Sequence, residues 1–480
     1  MLRSRTSAGR PLALIACLVL AAAAAPAATG SELLEKAIYT EETVGDLDQA
    51  IEIYQKVVAE GAKSIDAAAE AQFRIGACLE KQGKTQEATK AFQAVVDDYP
   101  KATRWVAKAK DRLPGSPKLL ATPWGDGDEL QFEMKLPTGM GIGCQIYRVA
   151  KQPRDGVEAW KCESWQVVTL NGAFGKSRVW ADLDTFAPIE SHWRHSVLGE
   201  ADAVYEKDKV VITLAGRSEP VTLESEGPLY DNEQAAEMFR RLPLKEGFKT
   251  TPTVISSLTA MAIPLKLSVT KVETIEVPAG KFECFRLHID DLNQTFWIAN
   301  DERRNIVRFA AGGVVADLME VRKATTGESV PLKRDLFTLT LPPEWHTYTP
   351  SQSEQDPRTT TWLIDPDATM QSRVEGGELT PIKEKFTTPS DWLKEALKKY
   401  RERLVDLTLD DDSIQAVEIN GRQAAVAVFE YKEGDKNQKA QRVAVFGDKS
   451  AVNLRFSAPT EDFDKWQPAI TKIVSSLKVE

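Results

Sequence analysis

The 480-residue chain has little of what catalytic and metal centres are usually built from, with four histidines and five cysteines in all. It contains no Cys-x-x-Cys pair, which removes zinc knuckles and thioredoxin-type sites. It contains no Gly-x-Ser-x-Gly elbow and no His-Glu-x-x-His run. Gly172-Ala173-Phe174-Gly175-Lys176-Ser177 lacks the earlier glycine of a phosphate loop, because Leu170 stands there. Basic residues are not in excess: 61 Lys and Arg against 71 Asp and Glu give a formal charge of −10. That balance argues against the broad basic face that nucleic-acid binding needs. Past the N-terminus there is no apolar run long enough to span a bilayer. With no motif for chemistry, the chain reads as non-enzymatic, with no cofactor and no metal expected.

What is present begins with a leader. Arg3, Arg5 and Arg10 precede an apolar stretch from Leu12 to Ala25, and Ala25-Pro26-Ala27 offers a cleavage site. Residues 1–27 therefore read as an export signal, leaving a periplasmic or secreted chain without a stable membrane span. Leu14-Ile15-Ala16-Cys17 resembles a lipobox, but the apolar run continues past Cys17, a layout that disfavours lipid anchoring there. Four cysteines remain after processing. Cys144 and Cys162 flank the turn-like Gln152-Pro153-Arg154-Asp155-Gly156, which predicts two strands folding back and a disulfide between them in an oxidising compartment. Cys78 reads as a small core residue.

Residues 31–113 carry a helical pattern. Ile75, Gly76 and Leu79 on one helix and Ala88, Phe92, Val95 and Pro100 on or after the next fit a tetratricopeptide repeat. The small Gly76 and Ala88 allow close helix crossing, Phe92 fills the groove beside them, and Pro100 stops the second helix. Leu34, Gly45, Ala50, Tyr54 and Val57 form a degenerate earlier repeat whose extra length falls between Glu60 and Ser64. A capping helix through Trp105 closes the array. Such hairpins bind partners on a concave face and stabilise one another by stacking.

Residues 114–129 read as a linker rich in Pro and Gly, after which the pattern changes to alternating strands. Three short stretches, Trp180 to Pro188, Phe239 to Gly247 and Glu276 to Phe282, are joined by Trp297-Ile298-Ala299-Asn300-Asp301 and Val315-Ala316-Asp317-Leu318. On these, residues 130–322 resemble a family of exported domains of unknown function related to the half-barrel of the lipoprotein carriers LolA and LolB. The resemblance implies a strongly curved, mainly antiparallel sheet around an apolar groove, and carries over no catalytic residue. In residues 330–480, a strand ends in Leu341-Pro342-Pro343-Glu344-Trp345. Asn420-Gly421-Arg422 precedes a long strand, and Ser475-Ser476-Leu477-Lys478 closes the last helix. This segment resembles the PsbP and Mog1 group of antiparallel α/β/α sandwiches, which implies protein binding.

The fold class expected is thus multidomain: α-helical tetratricopeptide hairpins, then an antiparallel β half-barrel, then an antiparallel α/β/α sandwich. The function expected is that of an exported interaction scaffold with a protein or peptide partner. The alternative is a carrier of lipid or another apolar ligand, with Trp180, Phe186, Trp193, Met261 and Trp297 as candidate groove residues. His192 and His195 fall on opposite faces of a strand and so do not share an ion. Asp410-Asp411-Asp412 lacks the spacing of a calcium loop.

Overall fold

The computed structural model describes residues 30–60, 64–110, 112–113, 117–206, 208–225, 228–324, 327–351, 359–401, 405–408, 413–434 and 436–480. Residues 1–29 with Cys17, the inter-repeat connection at 61–63 and the Asp410-Asp411-Asp412 run lie outside the described residues. The chain divides into two compact units, Met1–Lys110 and Asp111–Glu480.

In the first unit, α1 (Gly30–Tyr39) runs into a π-helical turn, Thr40–Val44, that ends at Gly45 with φ 77°. Then come α2 (Leu47–Ala59), α3 (Ile65–Lys81), α4 (Thr85–Asp98) and α5 (Thr103–Lys110). The Asp46 carboxylate accepts from Gln49 N–H and the Ser64 hydroxyl from Ala67 N–H, so α2 and α3 begin on side-chain caps. A Cβ at Gly76 would lie 2.6 Å from Phe92 Cε1, which is why that position is glycine. Ile75, Leu79, Ala88, Phe92 and Val95 are buried, and Pro100 follows the end of α4. Tyr54 fills in the first hairpin the place that Phe92 fills in the second. Its hydroxyl donates to buried Glu41 at 2.7 Å, and Arg74 (3.1 Å) and Lys81 (2.7 Å) neutralise that carboxylate.

The second unit opens on a fourteen-stranded antiparallel sheet. Its centre is Asp128–Lys135, flanked by Gly141–Arg154 and Val314–Lys323. The sheet curls around α6 (Ala235–Arg240), whose Ala235, Ala236, Met238 and Phe239 share one core with strand residues from both halves of the sheet. Arg240 and Arg241 lock this helix by donating to the carbonyls of Arg303, Arg304, Leu120 and Asp184. Trp124, placed in the linker by the sequence, belongs to this core, 6% exposed and edge-on to Trp160.

The expected disulfide is not formed. Asp155 and Gly156, at φ 50° and 80°, make a two-residue hairpin turn that pairs Arg154 with Val157. That register sets Cys144 opposite Val167 and Cys162 opposite Val149. The residue-number sum is 311 for each of those pairs and 306 for the two cysteines; the difference of five is odd, so they point to opposite faces. Cys162 joins the core around α6, and Cys144 joins a separate cluster on the outer face.

Residues 330–480 form an eight-stranded antiparallel sheet with a short three-stranded one beside it. After α7 (Thr380–Lys383), α8 (Pro389–Arg401) packs on Ala425, Ala427, Phe429, Ala440 and Ala444. On the opposite face, α9 (Thr460–Ser476) packs on Val443, Val445, Val452 and Leu454, giving an α/β/α sandwich. Thr388 and Asp391 exchange hydrogen bonds (Thr388 N–H to Asp391, 3.0 Å; Asp391 N–H to Thr388 Oγ1, 3.1 Å), the capping box written in the sequence. Pro468 sits inside α9, which starts at Thr460. Proline forfeits a single backbone bond there, while Phe463, Ile470 and Ile473 are fully buried and hold both halves to the sheet.

Candidate functional site

The curled sheet and α6 enclose a groove of about 400 Å³. That is within the range of small-molecule pockets, roughly 300–1,000 Å³. One wall is aromatic: Tyr147, Phe309, Phe296 and Phe239 line it, with Phe132 against Tyr147 and Phe309, and the contacting ring centroids lie 5.1 to 6.4 Å apart. Tyr147, Phe296 and Phe309 are only half-buried because one side of each ring faces the groove. The other end is polar, with Gln145, Ser164, Gln166, Asn232 and Glu233. Burial, and then the neighbouring Asp231, push the Glu233 carboxyl up to about 7. Glu237, on α6, is also raised to about 7 by burial, against the pull of Arg240.

Of the aromatic and apolar residues expected in the groove, Trp193 lines it and the others do not. Phe186 is fully buried against Trp124. Met261 is half exposed on a separate three-stranded sheet. Trp180 faces outward beneath Arg154 and Lys161. Trp297 donates its indole N–H to Glu273 at 2.9 Å, so its neighbour Phe296 takes the inner face. The strand alternation marks Phe296 and Trp297 as opposite-facing, but which one points inward depends on how the sheet curls.

The outer face of the same strands is equally buried. Glu129, 1% exposed, accepts from Arg148 Nε (3.0 Å), from Arg322 Nε (2.5 Å) and from His346 Nε2 (2.9 Å), which comes from the C-terminal domain. Two residues on, Gln131 donates to the Thr347 carbonyl at 2.9 Å. Two further, Glu133 accepts from Tyr348 Oη (3.1 Å) and from the N–H (2.6 Å) and hydroxyl (2.5 Å) of Ser351. Around them Cys144, Ile146, Trp165, Val167, Tyr348, Trp362 and Ile364 form one apolar cluster drawn from both domains. The two β domains are therefore one body with a hydrogen-bonded seam.

Burial would raise the Glu129 carboxyl, but the His346 contact and the Arg322 and Arg148 charges hold it well below the usual range. Burial lowers His346 and outweighs the opposing pull of Glu129, with the Arg148 and Arg322 charges pushing the same way as burial. Lys176 is pulled down to about 7 by burial despite its 2.8 Å bond to Glu163, and its ammonium stacks on Trp165.

The histidine pair of the sequence is split as expected from its spacing. His192 Nδ1 lies 2.7 Å from Asp202, and His195 Nδ1 accepts from the N–H groups of Val197 and Leu198. Among the described residues no cluster of three or more His, Cys, Asp or Glu could hold a metal ion. Nor is any helix among them long and apolar enough to cross a membrane.

Two family models match the chain. The family described as "Protein of unknown function (DUF3108)" covers residues 147–318, most of the curled sheet with α6. The tetratricopeptide repeat covers residues 70–102, which are α3, α4 and the turn after them. No curated protein matches. Among solved structures, a β-barrel-like protein of another family of unknown function from Brucella abortus is 11% identical. It aligns over 42% of this chain and 98% of its own, with a TM-score of 0.29. The cyanobacterial PsbP of Synechocystis is 12% identical over 32% of this chain and 95% of its own, with a TM-score of 0.25. LpqN of Mycobacterium tuberculosis, described as involved in cell envelope biogenesis, is 15% identical over 32% and 90%, with a TM-score of 0.21.

Proposed function

We propose that the chain is a non-enzymatic exported binding protein of the cell envelope, whose helical repeats engage a protein partner. The observation that carries this reading is the tetratricopeptide unit itself: two stacked hairpins and a capping helix, built around Gly76 and Phe92, in a repeat class that presents a concave face to partners. In this unit Tyr39 and Val44 are 61% and 58% exposed at the end of α1 and in the π-helical turn, available to an incoming chain. A photocrosslinking residue placed at Tyr39 or Val44 is expected to trap one and the same envelope protein in intact cells. The same residue at Val428 in the C-terminal domain serves as the comparison. Abundant chain with no adduct from either repeat position would sink the reading.

A second reading rests on the groove. Its volume of about 400 Å³ and its aromatic wall fit a carrier of a lipid or another mostly apolar ligand. Native mass spectrometry after gentle extraction is expected to find such a ligand bound, and Phe309→Arg is expected to remove it without unfolding the sheet. An empty groove that also takes up no fluorescent fatty acid excludes the carrier role.

A further inference from the structure

The C-terminal sheet carries a row of arginines that neither the repeats nor the groove accounts for. Register places Arg373 directly opposite Arg455, and Arg455 directly opposite Arg442, on three neighbouring strands. Like charges facing one another across a sheet repel and are normally avoided. One carboxylate compensates among the described residues at the site: Glu375, 3.3 Å from Arg455 and 3.7 Å from Arg373. Three guanidiniums against one carboxylate leave a local excess of two positive charges.

One end of the row is sheltered, while Arg455 and Arg373 are 26% and 32% exposed. Arg442 is 2% exposed, pinned by a 2.5 Å hydrogen bond to the Tyr400 hydroxyl, with its guanidinium 4.4 Å from that ring. Its Nη1 and the Nε of Arg455 are buried with no hydrogen-bond partner. A buried guanidinium N–H without an acceptor is costly, and two at one place point to an acceptor that completes the site. All three arginines line a cavity of about 120 Å³ that Gln371, Tyr400, Tyr431 and Ser457 help to close. A water's share of volume is roughly 30 Å³, so the cavity takes a compact oxyanion with a few waters but no drug-sized molecule. Burial, and then the charges of Arg455 and Arg373, pull Arg442 down to about 10, so the arginine stays charged at neutral pH and the repulsion stands.

We propose that Arg373, Arg455 and Arg442 form a binding site for a compact phosphate-type anion, either a soluble phosphate group or the headgroup of a phosphomonoester lipid. Guanidinium forks match the oxygens of such a group two at a time, and the hydroxyls of Tyr400 and Ser457 supply further donors. The site lies on the face of the sheet covered by α8, at the Tyr400 end of that helix, and depends on neither proposed function above.

The test uses the full chain. Inorganic phosphate is titrated by calorimetry and by thermal shift, with chloride at matched ionic strength as the comparison. Phosphate is expected to bind and to raise the melting temperature where chloride does not. Arg455→Gln and Arg442→Met are each expected to weaken phosphate binding at least tenfold. Because each variant also relieves repulsion, both are expected to melt no lower than the parent in phosphate-free buffer, a result that separates a binding site from a structural network. Cosedimentation with vesicles of phosphatidic acid in phosphatidylcholine assigns the source. Arginine-dependent binding to these vesicles, and not to phosphatidylcholine alone, identifies a headgroup; phosphate binding without vesicle binding identifies a soluble group. If phosphate and chloride act alike and neither vesicle binds, or if both variants retain full phosphate affinity, the proposal is overturned.

Discussion

Replacing Glu129 with glutamine should unfasten the seam between the two β domains. The carboxylate is 1% exposed and takes hydrogen bonds from Arg148, Arg322 and His346, which are 7%, 30% and 2% exposed. Removing one partner from a buried ionic cluster typically costs about 3–5 kcal/mol, because the remaining charge stays buried and unpaired. Arg322 is exposed enough to reach water, so the lower part of that range applies, about 3 kcal/mol. For a body the size of Asp111–Glu480, about 2.1 cal/mol/K of unfolding entropy per residue gives roughly 1.3 °C per kcal/mol, so the melting temperature should fall by about 4 °C. The assay is thermal unfolding of the full chain followed by tryptophan fluorescence, since Trp165 and Trp362 sit in the seam. A companion variant sharpens the reasoning: Glu129→Met, Arg148→Met and His346→Leu together should recover most of the loss, because an apolar cluster of similar volume avoids desolvating charge. A single variant that melts with the parent would falsify the account. So would a triple variant that melts below the single one.

Three further outcomes follow from the same structure. His346 is held below its ordinary range, so the unfolded chain binds its proton first, and this contribution to stability is present above about pH 6.5 and is lost as pH falls towards the folded value. Glu233 and Glu237, raised to about 7, act in the opposite sense, since their contribution is lost as pH rises. The prediction is therefore placed on the difference between parent and His346→Gln, which should shrink on acidification from pH 7 to 5 with a slope of at most about 1.4 kcal/mol per pH unit; a difference that does not vary with pH refutes it. Gly76→Ala should destabilise the repeat unit by about 1–2 kcal/mol despite the better helix propensity of alanine, because Phe92 has no room to move; far-UV circular dichroism on heating checks this, and an unchanged or higher transition counts against it. The thiols of Cys78, Cys144, Cys162 and Cys284 are buried and pushed upward by burial, so a thiol reagent should modify them only after unfolding, and Cys144→Ser should leave the reducing-agent response unchanged.

The helical hairpin was legible because its signals are local. Gly76, Ala88 and Phe92 meet within one pair of consecutive helices, so spacing along the chain fixes their contact. The cysteine pairing failed on a single quantity, the register set by the Asp155-Gly156 turn, which moves every side chain by steps that periodicity cannot count.

The amino-acid sequence by itself determined the order of segment types and, in strands apolar on one side only, which side is apolar. In Asp128–Lys135 it marks Leu130, Phe132 and Met134 as core and Glu129, Gln131 and Glu133 as the opposite, polar face. Such a face reads as solvent-exposed, since the strand pattern carries no record of what covers it. Only the tertiary structure decided that the C-terminal domain covers it and turns Glu129 and Glu133 into buried acceptors. The arginine row is the same lesson on another face. Residues 373, 442 and 455 carry no shared motif, and strand order alone brings three positive charges side by side. Contacts within a hairpin are set by nearby residues, whereas contacts between strands and domains are set by the path of the whole chain.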